Sequence, residues 1–76
     1  MITVKCARCG RKVFRYVKIG KGKLLRCHKD RIERDYSVRE GDKVLCSCGC
    51  LMGIDEGRWI RMVQGSFTYT GSVTAK

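Results

Sequence analysis

An alternation of hydrophobic and polar side chains is the main pattern of this chain, and it predicts β-strands nearly throughout. The clearest case is residues 12–19, which we interpret as a strand with Val13, Arg15, Val17 and Ile19 on one face and Lys12, Phe14, Tyr16 and Lys18 on the other. Gly20-Lys21-Gly22 follows, and glycine readily takes up the backbone conformations that a tight reversal requires. We therefore expect residues 23–28 to return beside residues 12–19 as a hairpin.

Shorter strands are predicted in the rest of the chain. Residues 2–5 and 44–45 lead into two groups of cysteines, and residues 31–38 fit the period of a strand better than that of a helix. Residues 50–54 read as a strand that ends at the turn Asp55-Glu56-Gly57. Residues 58–64 and 67–74 form a last expected pair around Gly65-Ser66. We expect one all-β domain over residues 1–76.

The length of 76 residues is close to the lower limit for a fold held by a hydrophobic core alone, and six cysteines offer a staple. The N-terminal residues lack the apolar stretch of a secretory signal, and no apolar run is long enough to span a bilayer. We therefore expect an intracellular, cytoplasmic protein without a membrane partner, in which paired cysteines hold zinc more often than each other. The absence of Asn and the single Gln favour a thermophilic source.

Two cysteine turns predict a metal site. Cys6-Ala-Arg-Cys9-Gly10 has the spacing of a chelating turn, and in Cys46-Ser-Cys48-Gly49 a glycine follows the second cysteine in the same way. In an extended strand Cys46 and Cys48 would face the same way but lie about 6.6 Å apart, so this pair can share an ion only if the chain bends there. The predicted site is one structural Zn²⁺ held by four thiolates, those of Cys6, Cys9, Cys46 and Cys48.

Other ligand sets remain open on the sequence. Cys50 forms a tight pair with Cys48 and is an alternative to Cys46 or Cys48, and Cys27 or His28 is an alternative fourth ligand. We expect Cys27 and Cys50 to be buried as small hydrophobic residues. A disulfide between them is the alternative in a hyperthermophile.

The two cysteine turns, with a long gap between Cys9 and Cys46, resemble the zinc-ribbon class of small β modules. That resemblance implies zinc-stapled antiparallel hairpins and an occurrence in ribosomal proteins, transcription factors and RNA polymerase subunits. The spacing from Cys48-Gly49 to Met52-Gly53 is also similar to the second metal turn of Yippee and Mis18 domains, whose fold is two β-sheets crossed over a zinc. The chain departs from both patterns in having one residue, not two, inside the second pair.

The net charge of +10 lies entirely in the first 29 residues, which carry ten basic side chains and no acid. Residues 30–76 carry seven of each sign. Clustered cations displace the counterions condensed on a polyanion, so this half of the chain predicts a nucleic-acid contact. The residues predicted to make it are Arg8, Arg11, Lys12, Arg15, Lys18, Lys21, Lys23 and Arg26. Phe14 and Tyr16 interleave with them and have the chemistry to stack on bases, although we expect Phe14 in the core.

These features predict a structural-zinc module that binds nucleic acid, RNA in preference to DNA, within a ribosomal or other ribonucleoprotein. The alternative is a protein adaptor or DNA-binding subunit of a transcription or chromatin complex, which would use an exposed apolar surface on the predicted strand pair from Trp59 to Tyr69. Catalysis is not expected. The residues closest to a catalytic cluster, His28, Asp30, Glu33 and Asp35, read as a solvated stretch beside Arg31 and Arg34.

Overall fold

Two antiparallel β-sheets make up the computed structural model, which describes residues 1–20 and 22–71. The first sheet has the order β4-β2-β1-β9, formed by Ile32–Asp35, Lys12–Tyr16, Ile2–Cys6 and Phe67–Gly71. The second has the order β3-β8-β7-β6-β5, formed by Arg26–His28, Trp59–Met62, Leu51–Asp55, Lys43–Leu45 and Val38–Glu40. One 3-10 turn, Lys29–Arg31, joins β3 to β4. The predicted all-β class is confirmed.

One continuous cluster of buried side chains takes members from both sheets. The alternation in β1 directs Ile2, Val4 and Cys6 inward and leaves Thr3 and Lys5 half-buried, as a strand with one covered face requires. The buried cluster has two groups of members. From the first sheet and the loop after β2 come Ile2, Val4, Cys6, Val13, Phe14, Tyr16 and Leu24. From the second sheet and the turn after β6 come Cys27, Val44, Cys46, Met52, Ile60 and Met62.

Each cysteine group lies at the tip of a hairpin. The first group begins at Cys6, the last residue of β1, and ends before β2, and the second follows β6 and precedes β7. Both hairpins carry an irregularity in register just before their first cysteine, between Val4 and Lys5 in one and between Val44 and Leu45 in the other. The two hairpins therefore present their cysteines in equivalent ways, one from each sheet.

Two predicted strand pairings are wrong. β2 pairs with β1 and β4 rather than with β3, which lies in the second sheet beside β8. Gly20 and Gly22 do have positive φ, but the segment that they belong to leads from one sheet to the other. Likewise β8 pairs with β7 and β3, whereas β9 crosses to the first sheet and pairs with β1. Local turn signals gave no means of choosing between partners in different sheets.

The predicted turn after residues 50–54 is confirmed. β7 ends at Asp55 and turns through Glu56 and Gly57 into β8. Residues 41–42 join β5 to β6. The predicted strand over residues 31–38 is present but divided: β4 ends at Asp35, and β5 begins at Val38 in the other sheet. The predicted end of the last strand, residues 72–74, lies outside the described residues.

Within residues 1–20 and 22–71, no helix has the length and apolar character needed to cross a membrane.

Candidate metal centre

The two hairpin tips bring four cysteine sulfurs into one cluster. The Sγ atoms of Cys6, Cys9, Cys46 and Cys48 all lie within 4.8 Å of one another. The Cys6–Cys48 distance is 3.7 Å and the Cys9–Cys46 distance is 3.4 Å. Four sulfurs placed tetrahedrally at about 2.3 Å from one ion would be about 3.8 Å apart. The cluster therefore has the size and the donor set of a site for one metal ion.

The first cysteine turn is held by its own backbone. The N–H of Cys6 donates to the carbonyl of Arg11, and the N–H of Gly10 donates back to the carbonyl of Cys6, both at 2.9 Å. Gly10 has a φ of 76°, a conformation that side chains other than glycine rarely adopt. This closed turn brings Cys9 back toward Cys6, so both thiols face the same side.

The second turn follows the same plan with one residue fewer. The N–H of Cys46 donates to the carbonyl of Cys50, and the N–H of Gly49, with a φ of 98°, donates to the carbonyl of Cys46, both at 2.8 Å. The chain thus bends between Cys46 and Cys48, as sharing an ion requires. Cys50 occupies the place that Arg11 has in the first turn, which is the residue that closes the hairpin. Its thiol is outside the four-sulfur group.

Backbone N–H groups stabilise negative charge on the sulfurs. The N–H of Cys50, followed by the thiols of Cys46 and Cys50, lowers the pKa of Cys48 to about 6. The pKa of Cys9 is raised to about 12: the N–H of Arg11 acts in the opposite direction, but burial and the neighbouring thiols outweigh it. A shared cation favours the thiolate form of every member, because it replaces repulsion between sulfurs with attraction.

Two arginines of the first turn reach the second turn. Arg11 Nη1 donates to Ser47 Oγ at 3.0 Å, and Arg8 Nη1 lies 4.0 Å from Cys50 Sγ. Four thiolates around a divalent ion carry a net charge of −2, so these two guanidinium groups are placed to offset it. Arg8 and Arg11 were predicted as nucleic-acid contacts, and here they contact the rim of the metal centre.

The other candidate ligands lie elsewhere. Cys27 is fully buried in β3 opposite Ile60, and burial raises the pKa of its thiol to about 12. His28 packs edge-on against Trp59 with ring centroids 5.9 Å apart. All six cysteines are free thiols, so no disulfide joins Cys27 to Cys50. Cys27 is thus a small core residue, as expected, whereas Cys50 is only partly buried against the core.

The predicted nucleic-acid contacts do not form one surface. Lys12 and Arg15 are exposed on the first sheet, Lys23 is exposed beyond it, and Arg26 lies on the second sheet with its guanidinium 5.1 Å from the centre of the Trp59 ring. Lys18 is only 5% exposed, and its Nζ donates to the carbonyl of Gly20. Lys21 lies outside the described residues. Phe14 and Tyr16 are both buried, so neither stacks on a base.

A different grouping of cations appears on the outer face of the first sheet. The register places Lys12 directly opposite Lys5 and Arg15 directly opposite Arg34. We call these four residues, Lys5, Lys12, Arg15 and Arg34, the cationic sheet face. The contacts predicted from the sequence did not include Lys5 or Arg34. The outward direction of Lys5 could have been predicted, because it alternates with the hydrophobic Val4 and Cys6. The position of Arg34 could not, because it depends on which strand β4 pairs with.

Within residues 1–20 and 22–71, the acids form no ion pair with a predicted nucleic-acid contact. The ion pairs among these residues are Lys29–Asp55, Arg39–Asp35, Arg39–Asp55 and Arg61–Glu56. None of these pairs includes a Lys or Arg side chain of residues 1–28.

Comparisons with known protein families, with curated proteins and with solved structures find no match to this chain. Its function must therefore be argued from the site itself.

Proposed function

We propose that this protein is a structural-zinc module that binds nucleic acid, RNA in preference to DNA. The observation that carries the proposal is the cluster of four cysteine sulfurs, all within 4.8 Å, at the tips of two hairpins from different sheets. A closed set of four thiolates is typical of structural zinc sites, because it leaves no coordination position open for a substrate. The ion serves to hold the two sheets together, and we propose no catalytic role.

The ligands favour zinc over metals that prefer nitrogen or oxygen donors. Four thiolates in a tetrahedral arrangement select zinc or iron among the common metals. The two hairpin turns, with N–H groups directed at the sulfurs, suit a closed site in a chain too short to rely on its core alone.

The nucleic-acid role is supported by charge. The excess of ten positive charges falls within the first 29 residues, and no ion pair among the described residues involves a Lys or Arg side chain of residues 1–28. Unneutralised cations on a rigid surface gain favourable free energy by displacing counterions from phosphates. The resemblance of the cysteine turns to zinc ribbons, which occur in ribosomal proteins, favours RNA and a ribonucleoprotein. The strand pair that was expected to carry the apolar surface of a protein adaptor does not form, because β8 and β9 lie in different sheets.

Two measurements test the proposal. Native mass spectrometry of the protein purified without added chelator should give one zinc ion per chain; a chain free of metal, or one loaded with iron, would contradict the zinc assignment. In a salt titration with mixed-sequence RNA, contacts with four to six phosphates should give a slope of log affinity against log salt of about −4 to −5. Absence of binding at low salt would remove the nucleic-acid role.

A further inference from the structure

We propose that the cationic sheet face binds the backbone of double-stranded RNA across its minor groove. This inference rests on the proposed function and deepens it, because it names the contact surface and the class of nucleic acid. The expected contact was the hairpin tip near Gly20, and the contact proposed here is the outer side of the first sheet. Arg8 and Arg11 of the first cysteine turn are assigned to the metal centre instead.

The cationic sheet face carries two pairs of like charges in opposite positions. Lys5 faces Lys12, and Arg15 faces Arg34, in directly opposite positions of neighbouring strands. Like charges in such positions destabilise a sheet. The second sheet has a comparable pair, Arg26 opposite Arg61, but there Glu56 lies 3.6 Å from Arg61. The cationic sheet face has no such compensation, which is the arrangement expected where an external anion supplies it.

The nearby acids do not change this argument. Of the four strands of the first sheet, only β4 carries acids, Glu33 and Asp35. Asp35 is engaged elsewhere: it accepts hydrogen bonds from Ser37 and an ion pair from Arg39. Glu33 lies at the irregularity in register between β2 and β4, where it is opposite neither Arg15 nor Tyr16.

The breadth of the cationic sheet face distinguishes between the grooves of nucleic acids. The register gives a row across all four strands, Thr70–Thr3–Arg15–Arg34, and a second row, Thr68–Lys5–Lys12, across three. Four strands at about 4.8 Å spacing make the first row about 14 Å long. A row of this length is too broad for the minor groove of B-DNA, about 6 Å wide, and the face has no projecting helix for the major groove. The minor groove of A-form RNA is wide and shallow and displays 2′-hydroxyl groups.

The two rows pair cations with hydroxyl groups. Lysine and arginine contact phosphates, and threonine hydroxyls both donate to and accept from sugar hydroxyls. The threonines lie in β9 and β1, and the cations lie in β1, β2 and β4, with Lys5 in the same strand as Thr3. A duplex laid across the sheet would therefore meet 2′-hydroxyl groups at the β9 edge and phosphates toward the β4 edge, with both kinds of contact at β1.

The lack of aromatic side chains on the cationic sheet face favours a duplex over a single strand. Readers of single strands stack bases on aromatic side chains. Among the described residues of the first sheet, Phe14 and Tyr16 are buried, and Phe67 lies opposite the inward-facing Cys6. Tyr69 is 37% exposed, but it lies opposite the inward-facing Val4, on the other side of the sheet, with Lys18 Nζ 6.0 Å from the centre of its ring. The outward positions in these rows hold threonine, lysine and arginine only.

The test compares two matched double variants of the zinc-loaded protein. Arg15→Gln with Arg34→Gln removes a directly opposite arginine pair from the cationic sheet face. Arg26→Gln with Arg61→Gln removes an equivalent pair from the second sheet, with the same change in net charge. Affinity for a mixed-sequence RNA duplex of about 20 base pairs, longer than the roughly 16 that a double-stranded-RNA-binding domain covers, is measured by fluorescence anisotropy over a range of KCl concentrations.

Loss of two phosphate contacts should reduce the magnitude of the salt slope by about 1.8 and weaken binding about 60-fold at 0.1 M salt. We expect this of the first-sheet variant, with an unchanged or raised melting temperature because a repulsive pair is removed. The second-sheet variant should bind as the wild type does. If the two variants lose affinity equally, or only the second-sheet variant does, the surface is wrongly assigned, although RNA binding itself stands. Failure of the unmodified protein to bind any RNA contradicts the proposed function instead.

A third variant tests the groove. Thr3→Val with Thr70→Val keeps the shape of the side chains but removes two hydroxyls that lie opposite each other. The wild type should prefer the RNA duplex to a DNA duplex of the same sequence, and to the single strand. The variant should lose the preference over DNA with no change in salt slope. Equal affinity of the wild type for the RNA and DNA duplexes, or tighter binding of the single strand, would overturn the minor-groove assignment.

Discussion

At the scale of single residues, the position of Cys50 determines which thiols share an ion. Cys50 closes the second hairpin through its carbonyl, as Arg11 closes the first, and the tip between Cys46 and Gly49 is one residue shorter than the tip between Cys6 and Gly10. The shorter tip explains how Cys46 and Cys48, with one residue between them, can bind one ion in the same way as Cys6 and Cys9, with two residues between them. Ligand identity is therefore set by the place of each cysteine in its turn.

This placement predicts different outcomes for two serine substitutions. Cys9→Ser removes an exposed member of the cluster without disturbing the core, and it should weaken zinc binding more than about 100-fold, the upper range for changes in residues that merely support ligands. Cys50→Ser should change zinc affinity less than about 10-fold. Competition with a chromophoric chelator measures both affinities, with circular dichroism as the control for folding.

If Cys50→Ser released the ion and Cys9→Ser retained it, Cys50 would be the ligand and the assignment from the turn geometry would be wrong.

At the scale of elements, the second sheet depends on a close approach of β7 and β8. Gly53 of β7 lies opposite Met62, and a Cβ atom added to it would lie 2.7 Å from both the Arg61 carbonyl oxygen and Ile60 Cγ2. Neither contact moves easily, since one is backbone and the other belongs to a stiff β-branched side chain. The glycine therefore allows the two strands to pack without a bulge.

We expect Gly53→Ala to lower the free energy of unfolding by about 1–3 kcal/mol, as overpacking in a core does. Gly65→Ala is the control: its Cβ would meet open space, so only its φ of 87° costs free energy, about 1–2 kcal/mol. Urea unfolding of the zinc-loaded variants measures both. A free energy of unfolding for Gly53→Ala equal to that of the wild type would contradict the packing argument.

At the scale of the whole molecule, the metal centre joins the two sheets. Cys6 and Cys9 come from the β1–β2 hairpin of the first sheet, and Cys46 and Cys48 come from the β6–β7 hairpin of the second. Two of these thiols, Cys6 and Cys46, are also members of the buried cluster between the sheets. An ion held by all four connects the core to both hairpins, so its binding free energy contributes to folding.

Removal of the ion should therefore loosen both sheets together. Excess chelator should cause a single cooperative loss of far-UV circular dichroism and of the Trp59 fluorescence signal, reversed by added zinc. Trp59 lies in β8, away from the cysteine turns, so it reports on the second sheet as a whole. A change in metal content with both signals retained would contradict a structural role for the metal.

Many features of this protein could be predicted from the sequence alone, because they depend on the order of neighbouring residues and on the number of residues of each type. Strand periodicity predicted most of the strands, the cysteine–glycine turns predicted the four sulfurs that the structure brings together, and the charge count located the basic half. Only the tertiary structure decided which strands pair, because a turn signal does not reveal whether the chain returns to its own sheet or enters another. That choice buried Lys18, separated Arg26 from Arg15 and brought Arg34 beside Arg15. Sheet partners are selected by burial of the shared core, which is a property of the whole chain.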